Sequence, residues 1–380
     1  MADASASRPR PFRVVIVGAG RIGTALGLLL RETPEFEILL VDPTEPARRR
    51  AEGLALPFAE VDPSNAAHLD RILAGADAVV AAVPSSATPL VAAAARRSGT
   101  HYLDLGDDGA ALEAVRREAD AAQGSFVAQC GISPGLVSSL VLDLAAQSTA
   151  PADIDVRIGS LPPRPVGRLG YGLIWDVDAT LREYTRPSLA LIDGREALLD
   201  PLSRREPLCL RERDYEVFVS GNIPATLCRR LAGKVSSLVS RTIRYPGHAD
   251  CMAFLLDEMK LRERVYMLRN LFLNALPDVP DDQLLIAISA TPRGRADAKK
   301  HFRRVVEPAL TGGVPIGAMR RTAASHVAAV LDLLRQERIA GAGIHAQEDI
   351  PLALLRENRF LAWFFDGAAQ AHHSSTEAIS

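Results

Sequence analysis

Arg13-Val14-Val15-Ile16-Val17-Gly18-Ala19-Gly20-Arg21-Ile22-Gly23 runs from an apolar strand pattern into three glycines spaced G-x-G-x-x-G and then into an apolar helical pattern. The glycine spacing alone is a weak signal; between a buried strand and a helix it becomes a strong one. Gly18 permits a tight turn, Gly20 lets backbone amides approach a pyrophosphate, and Gly23 lets helix and strand pack closely. The first helical residues, Arg21 and Ile22, lie where helix N–H groups and the positive end of the dipole face a phosphate. The stretch predicts a dinucleotide-binding turn at Gly18, Gly20, Arg21, Ile22 and Gly23.

Asp42 ends the next strand pattern, 19 residues after Gly23. An acidic side chain there accepts hydrogen bonds from the adenosine ribose and repels a 2′-phosphate, which predicts NAD in preference to NADP. Arg48, Arg49 and Arg50 are the opposing feature, read as a solvated helix face with a 2′-phosphate contact as the other reading. A flavin is the rival cofactor, but the chain has no second dinucleotide-type segment. Ligands of such sheets sit beyond the carboxyl ends of the strands. That places Val83, Pro84 and Ser85 beside the cofactor, with a turn and helix cap as their other role. Asp104, ending a buried strand pattern, either partners a substrate ammonium or fixes its own loop.

Working outward, strand patterns at 13–18, 37–42, 58–62, 77–83, 102–105 and 125–129 alternate with Ala-rich helical stretches. This alternation predicts a doubly wound parallel Rossmann sheet, an α/β class. After Pro151 the strand-like pieces 153–161, 171–177, 189–193, 215–220 and 241–245 are broken by Pro- and Gly-rich turns. They predict a second, α+β substrate domain on a mostly antiparallel sheet. A helical stretch over 257–275, a strand at 284–290 and helices over 318–338 and 351–365 follow. The expected division is a nucleotide domain over 11–135 completed by C-terminal helices within 321–366, a substrate and dimerisation domain over 136–320, and a disordered tail from 367 to 380.

The 380 residues carry 44 Lys and Arg against 46 Asp and Glu, a balance that predicts neither a nucleic-acid nor a membrane footprint. Lysine occurs only as Lys234, Lys260, Lys299 and Lys300, which leaves few candidates for lysine chemistry. Cys130, Cys209, Cys228 and Cys251 show no metal-ligand or disulfide spacing, so no metal site is expected. The first ten residues lack a secretory apolar region, and no charge-free apolar run reaches spanning length, which predicts a cytoplasmic protein.

Cys130-Gly131-Ile132-Ser133-Pro134-Gly135 resembles the G-x-x-P-G segment after the last Rossmann strand of the saccharopine dehydrogenase-like oxidoreductases, a group that includes lysine 6-dehydrogenase and carboxynorspermidine synthase. Residues 158–162, Tyr171 to Trp175, Glu183-Tyr184-Thr185-Arg186-Pro187 and Asp193-Gly194 are similar to that family's substrate domain. Thr242-Ile243-Arg244-Tyr245-Pro246-Gly247-His248 is similar to its T-x-R-Y-P-G-H block. Where the family commonly has Trp-Ser followed two residues later by Gly, this chain has Trp175-Asp176-Val177-Asp178-Ala179, with two carboxylates that either recognise a more cationic substrate or face solvent.

The resemblance implies a nicotinamide-dependent enzyme acting on a C–N bond of a basic amino acid, in the manner of lysine 6-dehydrogenase. Reductive C–N condensation and an inactive nucleotide-binding scaffold are the alternatives. Oxidising an amine needs a base for the ammonium proton, and His248 is the first candidate, with a backbone-bonded turn histidine as its other reading. His101 is second, and His326 reads as a core histidine. Arg244 offers a planar fork for a substrate carboxylate or is a strand-edge charge. Tyr171 and Trp175 form an aromatic wall or pack in the core. A homodimer paired through the second domain's sheet is expected.

Overall fold

The structure, a computed structural model, describes residues 10–366 apart from 149 and 222, and every element and count given is of these residues. The expected tail lies outside them. The chain divides into two compact units. One comprises residues 10–128 with 327–345; the other comprises 129–326 and 346–366. The C-terminal helices expected to complete the nucleotide domain thus fall partly in the second unit.

The first unit holds β1 (Phe12–Val17), α1 (Arg21–Arg31), β2 (Phe36–Asp42), α2 (Glu45–Gly53), β3 (Phe58–Glu60), α3 (Ala66–Leu73), β4 (Ala78–Ala81), α4 (Thr88–Ser98), β5 (His101–Asp104), α5 (Gly109–Ala119) and β6 (Ser125–Val127). The sheet order is β3-β2-β1-β4-β5-β6, all parallel, the doubly wound order with its switch point between β1 and β4. A strand at Gly343–His345, invisible as a pattern in three residues, extends the sheet beside β6. Val14 to Val17 and Ala78 to Ala81 are buried throughout, which is why these strands read as continuous apolar runs.

The second unit begins with α6 (Leu136–Ala146), β7 (Ala152–Leu161) and α7 (Val177–Thr185). It continues through β8 (Ser188–Ile192), β9 (Arg195–Leu199), β10 (Glu206–Leu210), β11 (Arg213–Val219), α8 (Ala225–Leu231), β12 (Ser237–Arg244), α9 (His248–Ala253), α10 (Val265–Ala275), β13 (Gln283–Pro292) and β14 (Lys300–Val306). Its main sheet runs β10-β11-β12-β7-β13-β14, antiparallel except for β12 beside β7, with β8 and β9 attached through β12. A core of Leu181, Tyr184, Phe218, Met252, Leu268 and Phe272 joins α7, α9 and α10 to the sheet.

Three expectations fail here, one of them the helix over 351–365, which is two short helices at Leu352–Glu357 and Ala362–Phe365. Residues 171–177 form no strand: Leu173 makes one bridge to Asp278, and Asp176 then caps α7 by accepting from Ala179 N at 2.6 Å. The expected helix over 257–275 is broken, because a π-helical turn at Phe254–Glu258 leads to Lys260 in the left-handed region at φ 56° before α10 starts.

Candidate functional site

In the first unit the glycine turn has the shape its spacing implies. Gly18 sits at φ +102°, and a side chain there would collide with the Ala82 carbonyl at the end of β4. A side chain at Gly23 would strike the Gly18 carbonyl, whereas one at Gly20 meets nothing within 4 Å. Gly20 is also the N-cap of α1, with no side-chain cap and no acidic residue in the first turn. An uncapped helix start beside open space fits a pyrophosphate, which the amides and dipole around Arg21, Ile22 and Gly23 would hold.

Asp42 stands beside this turn. One carboxylate oxygen accepts from Ala19 N at 3.0 Å, and the other accepts from Thr44 N at 2.9 Å and Thr44 Oγ1 at 2.6 Å. Three of the carboxylate's roughly four acceptor sites are thus taken, both of those on Oδ1 among them, which leaves one on Oδ2 for a ribose hydroxyl. The arginine triplet divides. Arg48 and Arg49 pair with Glu45 on the outer face of α2, as expected of a solvated helix. Arg50 instead turns inward and donates to the Ala19 carbonyl at 2.8 Å. The backbone of Ala19 is therefore held by Asp42 at its N–H and by Arg50 at its carbonyl, in two successive peptide groups.

The neighbouring strand ends form the rest of this edge. Val83 and Pro84 lead from β4 into a short 3-10 turn, and Ser85 Oγ donates to Asp107 Oδ1 at 3.2 Å. Asp104 is buried, accepting from Tyr102 Oη at 2.8 Å and from Gly106 N at 2.9 Å. Its carboxylate fixes the loop after β5, the second of its two expected roles. Burial, followed by the Asp104 charge, drives the Tyr102 hydroxyl well above its usual range. His101 begins β5 at the opposite end of the strand and accepts from Ser125 N at 3.0 Å, which removes it from this edge.

In the second unit the structure brings together Arg244, His248 and Tyr171, and adds a residue not singled out for chemistry, Tyr184. Arg244 Nε donates to Tyr184 Oη at 3.0 Å, and Tyr184 Oη lies 3.0 Å from His248 Nε2. His248 Nδ1 lies 2.9 Å from the Leu169 carbonyl, which only accepts, so Nδ1 carries the proton and Nε2 accepts from Tyr184. The result is one directed chain from guanidinium to phenol to imidazole to carbonyl. Tyr171 packs on it, its ring 4.7 Å from the Arg244 guanidinium carbon and 5.7 Å from the His248 ring. The Phe218 ring stacks parallel to the imidazole at 6.1 Å.

This arrangement favours the second expected reading of His248, a backbone-bonded histidine, over the base. The ring is 1% exposed, both nitrogens are engaged, and burial followed by the nearby Arg244 charge lowers its pKa to about 3. It stays neutral and holds its neighbours in place. Arg244 is likewise no strand-edge charge: it is 3% exposed, its Nη1 donates to the Ile243 carbonyl at 3.0 Å, and its Nη2 lies 3.8 Å from Glu183. Glu183 in turn lies 3.4 Å from Ser220 Oγ.

The two unusual carboxylates have structural work, since Asp176 caps α7 and Asp178 pairs with Arg269 at 2.9 Å. His326 is buried, as expected, and its Nδ1 lies 2.8 Å from the Gly131 carbonyl in the 130–135 loop. Among the described residues no group of His, Cys, Asp and Glu could hold a metal ion, and no helix is long and apolar enough to cross a membrane.

Residues 14–128 match the saccharopine dehydrogenase NADP binding domain. Among solved structures the chain is similar to apo saccharopine dehydrogenase (L-Glu forming) from Saccharomyces cerevisiae, with 15% identity and a TM-score of 0.71 over 91% of this chain and 96% of that one. A probable dehydrogenase from Thermotoga maritima gives 14% identity and a TM-score of 0.45 over 90% and 94% of the two chains. A dehydrogenase from Clostridium difficile gives 9% and 0.43 over 93% and 99%. The last two likenesses are too slight to bear on the chemistry. The nucleotide-binding unit is therefore saccharopine dehydrogenase-like, in a chain that shares its fold with the yeast enzyme over nine-tenths of its length.

Proposed function

We propose that the chain is an NAD(P)-dependent oxidoreductase acting on a C–N bond of an amino acid, with oxidative deamination of a basic amino acid as the reaction. The observation that carries this reading is the uncapped start of α1 at Gly20, in a unit that matches a saccharopine dehydrogenase nucleotide domain. A bound nicotinamide supplies the hydride acceptor. The amine reacts as its neutral form: its lone pair forms C=N as the hydride leaves the adjacent carbon, and water then releases aldehyde and ammonium.

The second unit contributes the Arg244 cluster in this reading. Arg244 and Tyr171 are buried, so Arg244 meets a substrate carboxylate inside the unit rather than at its surface, while Tyr184 and His248 hold it in one orientation. Because His248 is locked as a neutral positioning residue, the ammonium proton leaves to water rather than to its imidazole. Asp42 favours NAD, and Arg50 narrows the margin. A reductive condensation of an aldehyde with an amino acid is the second reading, favoured by the fold shared with the L-Glu-forming saccharopine dehydrogenase.

The test is a panel of lysine, ornithine, saccharopine and diamines with NAD or NADP, followed by reduced-nicotinamide absorbance in both directions. Turnover of a basic amino acid with NAD supports the reading. Tight nucleotide binding without turnover of any amine, in either direction, refutes it.

A further inference from the structure

We propose that the second unit carries a binding site for a small monocarboxylate with an apolar body, separate from the Arg244 cluster. The site is a cavity of about 520 Å³ between the 168–169 segment, α9 with its π-helical extension, and α10. That volume falls within the roughly 300–1,000 Å³ of small-molecule pockets. Its walls are almost wholly apolar: Leu169, Phe254, Leu255, Leu271, Phe272 and Leu276. Phe254 and Leu271 remain 48% and 45% exposed, large side chains that a ligand would cover. Phe254 and Leu255 project from the π-helical turn at Phe254–Glu258, an irregularity that concentrates at functional positions.

Charge selects the ligand's head. Asp250 lines the cavity, but its carboxylate is bonded by Arg205, and Cys251 Sγ lies 4.0 Å from the Arg168 carbonyl. Arg168 also lines the cavity, and among the described residues its exposed guanidinium has no carboxylate partner. An apolar chamber with one uncommitted cation takes an amphiphile whose head is an anion, and a carboxylate matches the guanidinium fork. Leu169 is a shared wall, because its carbonyl accepts from His248. The site requires neither bound nucleotide nor the proposed reaction.

Calorimetry on the full chain with hexanoate, octanoate and decanoate tests the proposal. Affinity should rise about fourfold for each added methylene until the cavity is full. Decyltrimethylammonium, with the same tail and opposite head, should bind more weakly than decanoate. Arg168→Glu should weaken the carboxylates by about twofold to thirtyfold and remove that preference. Leu271→Asp and Ala275→Trp, at exposed positions that tolerate substitution, should abolish binding while the circular dichroism spectrum is kept. Three results overturn the proposal: no saturable binding to folded wild-type protein at millimolar ligand, affinity indifferent to tail length or to these variants, or self-association of the chain that Leu271→Asp dissolves and decanoate does not compete with. The last would assign the cavity to a second copy of the chain.

Discussion

Replacing His248 tests the positioning role directly, because a buried neutral histidine leaves a signature in stability against pH. The unfolded chain protonates this imidazole below its ordinary value of 6.5, whereas the folded chain resists until about 3. Between those values the unfolded state binds more protons, so stability falls as pH falls. Each unit of pH in that window is worth about 1.4 kcal/mol, and lowering pH from 7 to 5 therefore removes about 2 kcal/mol through this residue alone. Both tryptophans, Trp175 and Trp363, lie in the second unit, so urea denaturation followed by fluorescence reports the unit that holds His248. His248→Asn lowers stability at neutral pH by removing packing and the bonds to Tyr184 and Leu169, but the decisive quantity is the slope. Wild type should lose about 2 kcal/mol more than the variant over that interval. The buried His326, lowered to about 4, contributes to both proteins and cancels. Parallel profiles, or nitrogen NMR showing an imidazolium at His248 near pH 6, would refute the reasoning.

Tyr184→Phe should destabilise the second unit by about 1–3 kcal/mol, measured as urea midpoints, because Arg244 Nε and His248 Nε2 are left buried without their shared partner. Arg244→Lys keeps the charge but cannot span Tyr184 and the Ile243 carbonyl with a planar fork, so substrate KM should rise well above any change in nucleotide Kd. Asp42→Ala should narrow the preference for NAD over NADP, and Arg50→Ala should widen it, both read as the ratio of nucleotide Kd values; equal wild-type affinities would remove the expected role of Asp42. For amine oxidation, the acid limb of kcat/KM should persist in His248→Asn, since the titrating group is the substrate amine; its disappearance would return the base to His248.

The first unit was legible because its information is local. A buried parallel strand must be apolar at every position, and the turn after it must be glycine where the Ala82 and Gly18 carbonyls come close, so 14–23 reads correctly without its partners. The second unit resists reading where its contacts are long-range. Tyr184 gains its place from Arg244 and His248, sixty and sixty-four positions away; the resemblance of 183–187 to a substrate domain marks the stretch but gives this tyrosine no role distinct from a core residue. The break at Lys260 was equally hidden, because Leu255, Leu256, Leu261, Val265 and Leu268 keep an apolar rhythm across it. Asp176 carried a usable signal: an aspartate three residues before Ala179 at the start of a helical pattern is an N-cap, and that reading would have withdrawn it from the pocket.

In the proposed reading, cofactor choice rests on two opposed charges at the backbone of Ala19. Asp42 alone sets a carboxylate at the end of β2, where a ribose hydroxyl can donate to it and a 2′-phosphate meets repulsion. Arg50 places a guanidinium at the same residue, and its bond to the Ala19 carbonyl uses only Nη1 of a five-donor fork. The remaining donors can serve a phosphate without releasing the turn. Asp42, meanwhile, is already bound to Ala19 N and Thr44, so it turns away from an incoming phosphate only by breaking bonds that shape the glycine turn. If the proposed preference for NAD holds, the cost of accepting NADP is electrostatic and partly offset by Arg50, rather than steric. A preference built this way is modest and responds to single substitutions in opposite directions, which is why the two variants around this residue carry more information together than either does alone.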